Sequence, residues 1–443
     1  MKFTFLLFVF SFFAALSCKS PQNQEQEEKV IETFNYNPDL PKLGIDANKI
    51  ESIDSLLQGF VEDKKLSSVA AFVAKGGNVV YKKAFGLKDI ENQIPADIND
   101  YYVLFSQTKA VVTVAFMTLV EKGLVAVDDP VSKYFPEIPH EIVTKVNDDG
   151  TFETRQVENP MTFAHLMSHS SGLNAGLVGD IRRKEGKRGG APAGFGGNMP
   201  EKTPNGQRSF GGNPESKYLE EQMLSLVKYP LGFEPGTEWN YHVSTNMLAY
   251  MVERISGQPL REYVKENILS PLGMEDTDWY YQPDALDRFV KPYSAIDGEL
   301  EPGTHMYAKG AVSDEQTYCE GAIGLNGPIE DYARFCQMLL NKGQFNGHQI
   351  LKPETIELMT TKNQLPSENS GGKGFQFGLG FELHNEKKPI PAVSDSAYAW
   401  GGMLGTAYII DPENDLIVLF YTNMFKAEPT YPVFLEKVYR SLK

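Results

Sequence analysis

The sequence predicts a mixed α/β (α+β) fold: an antiparallel sheet built from both chain ends, flanked by helices, with a mainly helical subdomain inserted between. Two observations carry this. Short β-rich runs cluster near residues 68–85 and 375–421, and the stretch between them places apolar residues at helical spacing. Each element must bury its apolar face against another, so strands from the two ends close into one sheet over the helices. Composition agrees. The 443 residues are 41% hydrophobic and 23% charged, which is globular rather than disordered.

Each element has its own signal. Ile50, Ile53, Leu56, Leu57 and Val61 recur at helical spacing within 46–61. Gly76-Gly77-Asn78 separates strand-like runs at 68–74 and 79–85, a tight hairpin. Ser106 opens a helical segment, 109–121, that is apolar nearly all round and therefore buried; Gly123 ends it. Further helices are expected at 219–227, 245–255, 328–340, 352–359 and 433–442, and strands at 375–383, 406–410 and 416–421. Residues 174–214 differ. They hold 11 Gly and 4 Pro, with a basic cluster at Arg182, Arg183, Lys184, Lys187 and Arg188. This reads as a loop or lid, its cations solvated or set against membrane or wall polymer.

The chain begins with features of export. Lys2 precedes an apolar run at 3–16, too short to span a bilayer, where about 20 residues are needed. Residues 1–17 read as a signal peptide. Ala15-Leu16-Ser17-Cys18 resembles a bacterial lipoprotein cleavage site, so Cys18 is the expected lipidation point and the membrane an expected partner. The polar segment 19–29 cannot bury a core; 18–40 is read as a lipid-anchored linker and 41–443 as the folded domain. Net charge is −16, which argues against a nucleic-acid partner. Three cysteines (Cys18, Cys319, Cys336) exclude a disulfide scaffold and a four-Cys zinc site; the last two read as buried free thiols. No metal or other cofactor is expected.

Ser106-Gln107-Thr108-Lys109 is an S-x-x-K tetrad at a helix mouth. Three residues make almost one turn, so the hydroxyl and amine share a face. The helix N-terminus offers free N–H groups and a positive dipole end to developing negative charge. A serine hydroxyl needs a base to attack an acyl group, and a desolvated neutral lysine can serve. His165 and His169 stand at i, i+4, but no third metal ligand is evident; they read as structural histidines at a helix end. Asp128-Asp129 reads as a turn.

Later segments add to the tetrad: Pro235-Gly236-Thr237-Glu238-Trp239-Asn240-Tyr241-His242-Val243-Ser244, and Tyr398-Ala399-Trp400-Gly401-Gly402-Met403-Leu404-Gly405-Thr406. So do Val127-Asp128-Asp129-Pro130-Val131, the run Thr162 to Leu173 with Ser168-His169-Ser170-Ser171-Gly172, and Pro271-Leu272-Gly273-Met274. With these in order, the chain resembles the serine β-lactamase-related superfamily, specifically class C β-lactamases and family VIII carboxylesterases, over roughly residues 45–425. The resemblance implies a β-lactamase/transpeptidase-like fold. It implies Ser106 as acylated nucleophile, Lys109 as its proton acceptor or electrostatic partner, and Tyr241 as second base or proton donor. Which of the two takes the proton stays open. The oxyanion hole would use the backbone N–H of Ser106 and Met403, with Trp400, Gly401, Gly402, His242 and Val243 at the substrate. Two departures matter. Val243 stands where β-lactamases have Asn, and Trp400-Gly401-Gly402 where they have Lys-Thr-Gly. Neither can hold a β-lactam's amide and carboxylate as those residues do, so the pattern points to ester hydrolysis of a small molecule. A D-amino-acid peptidase or amidase, a weak β-lactamase, and a non-catalytic wall- or glycan-binding lipoprotein are the other readings.

Overall fold

The computed structural model describes residues 32–186, 218–241, 243–296, 298–303, 318–365, 372–384, 386–425 and 429–443. Among them eight strands form one antiparallel sheet: β1 (Ser68–Lys75), β2 (Asn78–Asp89), β3 (Ile94–Pro95), β4 (Gln376–Phe377), β5 (Glu382–Leu383), β6 (Tyr398–Gly401), β7 (Ala407–Asp411) and β8 (Leu416–Tyr421). Their order is β4-β5-β6-β7-β8-β1-β2-β3. The two chain ends meet at β1 and β8, where Ala70 faces Tyr421 and Lys75 faces Leu416. The expected closure from both termini is therefore the observed one.

Alternation along these strands feeds two cores. Val69, Ala71 and Val73 of β1, with Val418 and Phe420 of β8, pack on α1 (Ile53–Glu62) and the C-terminal helix Thr430–Tyr439. Ala70, Phe72, Ala74, Ile417, Leu419 and Tyr421 face the larger core. That core takes in α2 (Thr108–Glu121), α3 (Phe163–Met167), α4 (Ala175–Lys184), α5 (Leu219–Leu226), α6 (Ser244–Ser256) and α7 (Ile329–Leu340). The C-terminal helix is α8. From Thr108 to Leu119 every residue of α2 is buried, as its sequence implied.

Several boundaries differ from expectation. Residues 375–383 are a hairpin, β4 and β5, rather than one strand. Gly380 has φ +91°, and a Cβ at Gly378 would stand 2.2 Å from the Met359 carbonyl oxygen, so the run turns where only glycine fits. The helix expected at 433–442 is α8, three residues earlier, with Pro432 tolerated in its first turn. The helical subdomain carries a hairpin, Glu141–Val146 with Phe152–Gln156, whose mostly exposed side chains left no alternation to read.

The segment read as a loop from 174 begins with a helix. Asn174 caps α4 by accepting from the Leu177 N–H at 3.0 Å, Val178 and Ile181 are buried, and Arg182, Arg183 and Lys184 occupy the last turn, where cations suit the dipole. Residues 187–217 lie outside the described residues. The folded unit also begins before residue 41. Phe34 is buried against Phe72 and Phe345, and the Asn35 N–H donates to the Gly77 carbonyl at 2.9 Å. Cys319 and Cys336 are buried free thiols.

Candidate active site

Ser106 sits in a single 3-10 turn, Phe105–Gln107, that runs directly into α2. The preceding residue, Phe105, has φ +45°, a left-handed conformation costing about 1–2 kcal/mol in a non-glycine residue. Packing offsets it. Phe105 is buried among Val103, Ala322, Ile323 and Leu404. The turn points the Ser106 hydroxyl at Lys109, whose Nζ donates to Ser106 Oγ at 3.0 Å and to the Ala322 carbonyl at 2.9 Å. Lys109 is 2% exposed. Burial brings its pKa down to about 7, against the pull of the Glu320 carboxylate. A substantial fraction is thus neutral near pH 7.

Tyr241 closes the group. Its phenol oxygen accepts from Trp400 Nε1 at 2.9 Å, and Lys109 Nζ lies 4.5 Å from its ring centroid. Burial pushes the Tyr241 pKa up, and hydrogen bonds with Ser106 and Trp400 counter it only in part. The phenol is therefore protonated at neutral pH. The His169 ring packs edge-on against Tyr241 with centroids 4.7 Å apart. Burial and then the neighbouring Lys109 push His169 well below the usual imidazole range, so it is neutral. Trp239 stacks on Tyr241 at 5.5 Å and also meets the His169 ring edge-on at 6.3 Å.

The loop bearing Tyr241 is held by the Ser-rich run before it in sequence. The Asn240 N–H donates to the His169 carbonyl and the Gly236 N–H to the Ser170 carbonyl, both at 2.8 Å. Gly236 has φ +86°, and a Cβ there would stand 2.9 Å from His165 Nε2. His165 itself completes a capping box with Thr162 at the start of α3.

The opposite wall is the end of β6. A Cβ on Gly402 would come within 2.4 Å of the Leu104 carbonyl oxygen and 2.3 Å of Thr406 Oγ1. Glycine there lets the strand end lie against the backbone two residues before Ser106. A cavity of about 380 Å³ follows, lined by Ser106, Tyr241 and residues 400–403, and reaching Glu382, His384, Lys387 and Lys388. Burial raises the Glu382 carboxyl to about 7, with Lys387 opposing the shift. Lys388 pairs with Asp395.

The structure thus brings Ser106, Lys109, Tyr241 and Trp400 together and puts Gly401, Gly402 and Met403 on the same cavity. Val243 does not join them. It is 1% exposed within the main core, because it sits at the N-cap of α6 and turns inward; the expectation that it meets substrate is corrected. His242 and Cys18 lie outside the described residues. His169, Asn246 and Glu320 are site residues that sequence reasoning missed. For His169 the Ser-His-Ser-Ser-Gly run was the available signal; for the other two there was none.

Residues 53–433 match the family model described as Beta-lactamase. The chain is 27% identical over 392 residues to Esterase EstB of Burkholderia gladioli, covering 84% of this chain and 89% of that protein. It is 25% identical over 411 residues to a putative D-alanyl-D-alanine carboxypeptidase of Escherichia coli (strain K12), covering 86% and 84%. The solved structure of EstCE1, described as a hydrolase with promiscuous acyltransferase activity, superposes with a TM-score of 0.71 at 22% identity, covering 89% of this chain and 99% of that one. That likeness shows the fold. With a family match across most of its length, the chain belongs to the beta-lactamase family, and with it to the serine hydrolases of that fold.

Proposed function

We propose that the protein is an extracytoplasmic carboxylesterase working through an acyl-enzyme on Ser106. One observation carries the reading: a buried lysine with pKa about 7 hydrogen-bonded to a serine hydroxyl at 3.0 Å. Ser106 Oγ attacks the ester carbonyl carbon and its proton passes to neutral Lys109 Nζ. The oxyanion faces the backbone N–H groups of Ser106 and Met403. The tetrahedral adduct collapses, the alkoxide leaves, and Tyr241 gives it a proton that Lys109 replaces. Water then attacks the acyl-enzyme by the same route, releasing the acid and restoring Ser106. Tyr241, raised rather than lowered, serves as a protonated relay, which leaves Lys109 as the base.

The ester preference rests on Trp400 in place of a carboxylate-binding lysine and on the similarity to EstB. A D-amino-acid peptidase is the second reading. Lys387 on the cavity wall favours it, since a cation there suits a peptide's terminal carboxylate. The apolar run at 3–16 and Ser17-Cys18 support export and a lipid anchor on Cys18. Among the described residues no helix is long and apolar enough to cross a membrane.

The test uses residues 19–443 with p-nitrophenyl esters of rising chain length, a D-Ala-D-Ala peptide and a chromogenic cephalosporin. The expected result is ester turnover well above the other two, with fluorophosphonate labelling lost in Ser106→Ala. D-alanine release exceeding ester turnover would replace the esterase reading with the peptidase one.

A further inference from the structure

Lys109 is held on its far side by a buried polar chain. Its Nζ donates to the Ala322 carbonyl at 2.9 Å. The Ala322 N–H donates to Asn246 Oδ1 at 2.8 Å, and Asn246 Nδ2 donates to Glu320 Oε1 at 3.2 Å. Asn246 is 0% and Glu320 4% exposed. Three elements therefore converge on the lysine: α2 carries Lys109, α6 carries Asn246, and the strip 318–327 carries Glu320 and Ala322.

That strip is fixed tightly. Tyr102–Val103, just before the Ser106 turn, pairs with Asn326–Gly327, and the Leu325 N–H donates to Thr108 Oγ1 at 3.0 Å. Trp279 Nε1 donates to the Glu320 carbonyl at 3.0 Å. A Cβ at Gly321 would stand 2.3 Å from Ala249 Cβ on α6, so the backbone beside Glu320 lies as close to that helix as glycine permits. The carboxylate is thereby placed inside the protein, where an anion is retained only against a compensating charge.

Among the described residues, Ser106, Tyr241, His169 and Glu320 face Lys109. Ser106 lies on its own turn. Tyr241 approaches from the loop before α6 and His169 from the run after α3; burial keeps both uncharged at neutral pH. Among the described residues facing it, Glu320 supplies the negative charge. We propose that Glu320, held by Asn246, is a positioning residue that sets the pH range over which Lys109 can accept the Ser106 proton. The ammonium formed when Ser106 Oγ bonds to the acyl carbon is balanced by this carboxylate until the proton returns to the leaving alkoxide. The proposal rests on the roles given above to Ser106 and Lys109.

The sign follows from opposing effects. Burial lowers the Lys109 pKa and the Glu320 charge raises it. Removing the charge lets burial act alone, so Lys109 becomes neutral at lower pH and the acid limb of the activity profile moves down. The experiment is the pH dependence of kcat/KM for p-nitrophenyl butyrate in the wild type, in Glu320→Gln and in Glu320→Gln/Asn246→Asp. Glu320→Gln is expected to move the acid limb down by about one pH unit. The double variant, which keeps one carboxylate in the pair, is expected to return it. Equal loss at every pH with an unmoved limb would reduce Glu320 to a packing role and overturn the proposal. Should Glu320→Gln fail to fold, as read by thermal melting, the double variant decides: a limb at the wild-type position supports the proposal, a downward one contradicts it. Ser106→Ala run alongside separates the two levels, since ester turnover surviving there removes Ser106 rather than Glu320 from its role.

Discussion

Lys109, behind Ser106 on the helical side of the cavity, is 2% exposed and bonded to a serine hydroxyl and a backbone carbonyl. Lys388, on the facing sheet wall, keeps 26% of its side chain in solvent and pairs with Asp395. The same side chain thus meets two different environments. Burial brings the first down to about 7. The second stays part-exposed beside a carboxylate. Proton transfer needs fixed distances and a low dielectric, whereas recognition needs accessible groups. In the proposed mechanism the helical side holds the proton acceptor, and the sheet side adds the Met403 N–H and the cations that a substrate would meet.

Substitutions on the two walls should separate accordingly. Lys109→Met removes the amine while keeping the side chain buried, and kcat is expected to fall about 1000-fold in ester hydrolysis. A fall below tenfold would move the base elsewhere. Tyr241→Phe keeps the ring contacts with His169 and Trp239 and removes only the hydroxyl; kcat should drop about 100-fold with little change in melting temperature. A lower melting temperature with unchanged kcat would make the phenol a packing group.

Gly402→Ala tests how closely the walls must approach. The added methyl meets the Leu104 carbonyl oxygen at 2.4 Å, so either the strand end or the Ser106 turn must shift. The expected cost is about 1–3 kcal/mol in stability, read by denaturant titration, together with reduced kcat. Lys387→Ala sits at the other extreme. On an exposed side chain it should leave neutral-ester turnover within about threefold of wild type, while any substrate bearing a carboxylate loses more. Equal effects on both substrates would deny the sheet wall its part in specificity.

The two walls were also unequally legible. Ser106 and Lys109 are three residues apart on an apolar helix, so spacing alone placed them together. Tyr241 and Trp400 came from ordered motifs. Ala322 meets Lys109 across 213 residues of sequence, and Asn246 meets Glu320 across 74; no local pattern announces such contacts. His169 reads in sequence as a helix-end histidine, since no third metal ligand stands near it and nothing local announces Tyr241, 72 positions on. The sheet was legible where β1, β7 and β8 run long and apolar. It failed at 375–383, where an apolar run with glycines fits one strand or a hairpin, and only the approach of Gly378 to Met359 decides.

The most direct measurement is peptide mapping by mass spectrometry after rapid acid quench of the protein mixed with a slowly turning-over ester. The expected result is an acyl mass added to Ser106 within one turnover and absent in Ser106→Ala. Steady ester hydrolysis with no adduct on that residue, undiminished in the alanine variant, would contradict it.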